Sequence, residues 1–106
     1  MKNLLQLEAD MEVLGENYAT WKAQASHLER MRKVLLAQLM LEHMGKPVNE
    51  RDMRARASEG YMNHILGQKE AETKFHKYQA EWITIQEKIA NRRTMAATER
   101  AKINLV

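Results

Sequence analysis

Cysteine is absent from this sequence. No disulfide framework can staple the fold, and no thiol can serve as nucleophile or metal ligand. One proline, Pro47, and four glycines among 106 residues leave few helix breakers. β-Branched residues are sparse as well. That composition argues against a sandwich or barrel and favours long helices. No run of about 18 apolar residues is present, so no membrane-spanning helix and no membrane partner are expected. The opening residues, "MKNLLQLEADMEVLGEN", meet acidic side chains before any sustained apolar run, unlike a secretory leader. The cytoplasm is the expected compartment.

Recognisable catalytic patterns are missing too. The chain has two serines, Ser26 and Ser58, and no glycine-rich phosphate loop. Nothing forms a triad or a paired-carboxylate signature. Four histidines, His27, His43, His64 and His76, are scattered. The one tidy metal-type pair is Glu72 and His76, four residues apart, whereas a metal needs three or four convergent ligands. No enzyme activity, metal or cofactor is expected.

What is present is helical periodicity. Leu4, Leu7, Met11, Leu14, Tyr18, Trp21, Ala25 and Leu28 alternate in steps of three and four, the spacing of a coiled-coil seam. The pattern then slips in phase to Met31, Leu35 and Leu39. Residues 31–41 are apolar on several faces and call for more than one neighbour. A second seam runs through Phe75, Tyr78, Trp82, Ile85, Ile89, Arg92, Ala96, Glu99 and Ile103, preceded by Ala57, Tyr61 and Ile65. Between the seams, Gly45 suits a helix C-terminus and Pro47 blocks simple continuation. Asn49 can cap the next helix, with Glu50 and Asp52 in its first turn.

The expected fold is therefore all-α. It is a single helical-hairpin domain over residues 1–106, with a helix at about 2–44, a turn at 45–48 and an antiparallel helix at about 49–104. The hairpin is coiled-coil-like, with a kink or break near Gly60–Gly67 as the structural variant. Tyr18, Trp21, Phe75, Tyr78 and Trp82 sit at seam spacing, so they read as core rather than as a base-stacking platform. Paired outward from the bend, the first helix ends near residue 91 of the second. The segment "NRRTMAATERAKINLV" then projects past its partner. Its seam needs another chain, so a homo-oligomer is expected, with Trp82, Ile85, Ile89, Ala96 and Ile103 on the assembling stripe.

Charge is segregated along the chain. Residues 1–29 carry two cations against five carboxylates, a balance of −3. Residues 30–56 carry seven against three, giving +4. Residues 57–87 carry three against five, giving −2, and residues 88–106 carry five against one, giving +4. Arg30, Arg32 and Lys33 precede the bend, and Arg51, Arg54 and Arg56 follow it. Folding at Pro47 draws both sets toward one end of the hairpin. Arg92 and Arg93 belong to the second basic island. Arginine favours bidentate contact with phosphate or carboxylate. All eight are candidate nucleic-acid-binding residues, held against the plainer reading of a solvated helix surface.

A family layout accompanies these features. "YATW" lies in the first helix, and "RKVLLAQLMLEHMG" precedes the loop. "ARASEGY", "YQAEWITIQEKI" and the arginine-bearing "NRRTMAATERA" follow. This arrangement resembles small phage-encoded helical recombination proteins, similar in layout to the UvsY-type recombination mediator family. The resemblance covers residues 13–102 or so. Lys33, Leu36, Leu39 and Gly45 match the family's basic–leucine–glycine spacing, while Ala37 and Gln38 stand where the family places further cations. The resemblance implies an oligomeric protein that binds single-stranded DNA, helps load a recombinase and displaces single-strand-binding protein. The competing expectation is a helical protein-binding module, such as a phage-encoded inhibitor or adaptor. Its basic tip would dock on an acidic protein surface.

Overall fold

The computed structural model describes residues 2–105; the outermost residues of the expected 1–106 domain lie outside the described residues. The described residues are all-α, with three helices in the order α1 (Leu4–Leu41), α2 (Val48–Arg56) and α3 (Glu59–Leu105). Two compact units are formed. One comprises residues 2–19 with 76–105, and the other residues 20–75.

Local chemistry sets each helix end. Asn3 and Gln6 form a reciprocal cap at the start of α1. The Gln6 amide N–H donates to Asn3 Oδ1 at 2.8 Å, and the Asn3 N–H donates to Gln6 Oε1 at 2.9 Å. After Leu41, three-residue turns tighten the chain through the Glu42 N–H to Leu39 O and His43 N–H to Met40 O bonds. Gly45 then adopts φ 96°, a left-handed conformation that glycine takes without a Cβ clash. Pro47 occupies the cap position of α2, and no side chain caps that end. Asn49 therefore lies inside α2 and not at its N-terminus, contrary to the sequence expectation.

The second helix is not continuous from 49 to 104. It breaks at residues 57 and 58, ahead of Gly60 and Gly67, which both lie within α3. Serine chemistry accounts for the position. Ser58 Oγ donates to Ala55 O at 2.6 Å and accepts from the Tyr61 N–H at 3.3 Å. One side chain thus closes the end of α2 and caps the start of α3.

In the first unit, α1 and α3 run antiparallel, as the Glu8–Arg93 and Tyr18–Trp82 contacts require. Leu7, Ile85 and Ile89 form its buried centre, with Leu4, Met11 and Leu14 packed against them. Trp82 stacks on Tyr18 with ring centroids 5.5 Å apart and planes 8° from parallel. A Cβ on Gly15 would lie 3.3 Å from the indole Nε1, so the bare α-carbon makes room for this stack.

In the second unit, α1 and α3 are again antiparallel. His64 Nε2 lies 2.7 Å from the Leu28 carbonyl, which fixes the N–H on Nε2 as the donor. The Lys74 ammonium sits 4.3 Å from the Trp21 ring centroid. Ala55, Tyr61, Ala71 and Gln68 are buried. Tyr61, His64, Gln68, Ala71 and Phe75 keep the three-four alternation, so the α3 seam passes through two polar residues. Gln68 Nε2 donates to Glu72 at 3.0 Å, while Gln68 Oε1 is buried without a partner. A polar side chain at a seam position costs stability and specifies register.

The expected phase slip in α1 does not occur. The covered positions continue from Leu28 to Arg32, Leu35 and Leu39, while Met31 is 39% exposed. An arginine can occupy a seam position because its methylene stem covers apolar surface while the guanidinium reaches water.

These contacts separate the glycines by function. Gly67 has open space around the position of an added Cβ. Gly67→Ala should raise unfolding free energy by about 0.5–1 kcal/mol, by removing backbone entropy from the unfolded chain. Gly15→Val should lower it by about 1–3 kcal/mol, because the branch must displace Trp82. Urea denaturation followed by circular dichroism measures both shifts.

Candidate anion-binding surface

The six cations flanking the bend all fall in the second unit. Their states differ. Arg30 and Lys33 are exposed on α1 and Arg32 is half-buried; with Glu29 they line one shallow depression. Among the described residues, none of these three cations makes an ion pair. Arg30 and Lys33 lie three residues apart, and are therefore neighbours on one helix face.

The α2 arginines are more committed. Arg54 donates to Glu50 Oε1 through Nη2 at 3.0 Å and Nε at 3.2 Å. Arg56 Nε contacts both Asp52 carboxylate oxygens at 3.1 Å. The Arg56 guanidinium also lies 5.9 Å from the Tyr61 ring centroid, with Nη1 3.5 Å from the phenol oxygen. Each pair joins residues four apart, so α2 offsets two of its three cations within its own helix. Arg51 is the exception. Its Nη1 lies 3.6 Å from Met44 Sδ, and its Nε is buried without a partner.

The Arg54 hydrogen bond, followed by the charge of Lys46, holds the Glu50 carboxyl below the ordinary glutamate range. Lys46 Nζ is 3.6 Å from the same oxygen. These groups are solvent-exposed, and exposed pairs of this kind contribute little net stability because water and salt screen them. A competing anion can therefore take the arginine at small cost.

The two candidate cations of the second island, Arg92 and Arg93, lie in the first unit. Arg93 Nη2 contacts Glu8 Oε1 at 2.9 Å and ties the two helices together. Arg92 is half-buried at the last covered seam position. It lines a depression with Lys2, Lys88 and Met95. The residues expected to assemble divide in the same way. Ile85 and Ile89 are buried inside the chain, and Trp82 is spent on Tyr18. Ala96 and Ile103 are exposed, as is every residue from Arg93 to Leu105. Only the last two of the five remain open to another chain.

Sequence reasoning missed the offset of Arg54 and Arg56, although "NERDMRAR" contains both four-residue acid–base spacings. Lys88, a member of the second island one turn before Arg92, was not singled out as a candidate. Apolar side chains accompany the basic bend: Met44, Val48 and Met53 are 65%, 60% and 70% exposed. Among the described residues no group of three His, Asp or Glu side chains could hold a metal ion, and no helix is long and apolar enough to cross a membrane.

No family model, curated protein or solved structure matches the chain.

The Glu50 shift has a defined sign. Its folded value is lowered, so its contribution is complete above the unfolded glutamate range and is lost as pH falls through the lowered value. The Glu50 carboxyl carbon, followed by NMR, should titrate below the ordinary range. In Arg54→Gln its midpoint should move up, since the largest cause is gone. An unchanged midpoint would mean that the Arg54 contact does not persist in solution.

Proposed function

We propose that this chain is a non-enzymatic helical accessory protein that binds single-stranded nucleic acid, with DNA as the natural partner, in phage-type recombination. One observation carries the reading: among the described residues Arg30, Arg32 and Lys33 make no ion pair, and they share a unit with Arg51, whose Nε is buried without a partner. Three cations against the single carboxylate of Glu29 leave a local positive field that attracts a polyanion. Binding to backbone phosphates releases condensed counterions, which drives association without sequence readout. Arg54 and Arg56 join by exchanging carboxylate for phosphate. The covered aromatics leave no exposed stacking platform, so affinity rests on charge rather than base contact. The layout shared with UvsY-type mediators supports the same reading and brings recombinase or single-strand-binding protein as further partners.

A second reading has its own support. Exposed Met44, Val48 and Met53 surround the arginines at the bend. Flexible methionines beside cations suit an acidic, partly apolar protein surface. In that case the chain is a protein-binding module acting as inhibitor or adaptor.

Fluorescence anisotropy with a labelled single-stranded oligonucleotide distinguishes the two. Binding should weaken steeply with salt and be alike for poly-pyrimidine and mixed strands. Arg30→Gln with Lys33→Gln should flatten the log–log salt slope by about 1.4, at about 0.7 per phosphate contact. Arg54→Gln with Arg56→Gln should do less. Lys69→Gln with Lys77→Gln should change little. Absence of binding at low salt, or equal loss in all three variants, would favour the protein-binding reading.

A further inference from the structure

The depression that holds Arg92 is built by two elements of the first unit. Lys88, Asn91, Arg92 and Met95 line it from α3, and Lys2 and Leu7 line it from the start of the chain. The α3 residues recur in steps of three and four and so share one helix face. That face spans about 10 Å at 1.5 Å per residue. Leu7 is buried and Met95 is 61% exposed.

The lining carries three cations and no carboxylate. Lys2 is already paired with Asp10. Among the described residues Lys88 and Arg92 make no ion pair. No carboxylate lies three or four residues from either along α3. The two cations are instead one turn from each other, where like charges repel. Arg92 is half-buried, which raises the cost of a guanidinium that has no counter-charge. An anion held between Lys88 and Arg92 offsets both effects.

The side chains beside the cations narrow the choice of anion. Leu7 and Met95 are aliphatic, and no aromatic ring lines the depression. A nucleic-acid strand presents phosphates and flat bases, and bases stack on aromatic rings. A peptide carboxylate, by contrast, pairs with a guanidinium through two parallel hydrogen bonds. The flexible thioether of Met95 adapts to an aliphatic side chain. Asn91 adds an amide able to bond a peptide backbone. The length of the face matches about three residues of extended peptide, at about 3.3 Å each.

We propose that this depression binds an acidic peptide segment of a partner protein, in which carboxylates flank one aliphatic side chain. The carboxylates pair with Lys88 and Arg92, and the aliphatic group lies against Leu7 and Met95. The nucleic-acid reading rests on the Arg30–Lys33 cluster of the other unit. The two claims therefore use different residues and fail separately.

Fluorescence anisotropy of the full chain with the labelled peptide DDLDD at low salt provides the test. Binding is expected, and it should be about tenfold weaker or more for NNLNN, which lacks the carboxylates. Lys88→Gln with Arg92→Gln should cause a loss of about the same size, and Lys88→Gln alone, at an exposed position, part of it. Met95→Ser should weaken DDLDD and leave DDGDD unchanged, a difference that a damaged fold would not produce. Arg30→Gln with Lys33→Gln should leave peptide binding as it is. Circular dichroism checks the helicity of each variant. In NMR of the labelled chain, DDLDD should shift the Arg92 guanidinium and the Met95 methyl most. The proposal is overturned if wild type does not bind DDLDD at low salt, or if NNLNN binds equally well. Equal loss in the Arg30→Gln with Lys33→Gln variant would also overturn it. So would larger shifts at Arg92 and Met95 from oligothymidylate than from the peptide, since the depression would then be a nucleic-acid surface.

Discussion

Everything in this protein depends on the three-four seam shared by α1 and α3. A helix pair of this size has little interior, and the seam residues are where apolar surface leaves water. Leu7, Ile85 and Ile89 are the centre of one unit, and Ala25, Tyr61 and Ala71 are buried in the other. Because the stripe is narrow, the remaining faces of both helices stay exposed. Charged groups on those faces are free to serve recognition rather than structure.

Polar residues within the seam limit its freedom. His64 reaches the Leu28 carbonyl, Gln68 is buried with an unpaired oxygen, and Arg32 replaces an apolar side chain. An all-leucine seam would be more stable but could slide by a heptad. Fixing the register also fixes where Arg30 and Lys33 emerge on α1. Structural specificity and the position of the cation cluster thus share one cause.

Much of this architecture was legible in the residues. The apolar spacing from Leu4 to Leu28 and from Phe75 to Ile89 named the buried face, and Gly45 with Pro47 located the bend. Harder to read were places where polar side chains do unusual work. Ser58 breaks and restarts the helix with one hydroxyl, although the nearby glycines are the stronger breakers by propensity. Arg32, His64 and Gln68 were hidden because periodicity counts apolar residues, and Met31 offered a false alternative phase. The basic residues were visible as a cluster. Their inequality was not, because spacing alone does not settle it: Glu50–Arg54 and Asp52–Arg56 form ion pairs, whereas Glu29 and Lys33, at the same four-residue spacing, do not pair.

In the function proposed above, the cations of the Arg30–Lys33 cluster and Arg51, rather than the bend as a whole, meet a single-stranded polyanion. NMR of the isotopically labelled chain, titrated with a short oligothymidylate at low salt, tests it most directly. The largest shifts should fall at the Arg30, Arg32 and Arg51 guanidinium groups and at the amides of residues 29–34. Weaker changes should occur at Arg54 and Arg56, as they trade Glu50 and Asp52 for phosphate. Shifts confined to residues 69–77, or none at saturating oligonucleotide, would contradict it.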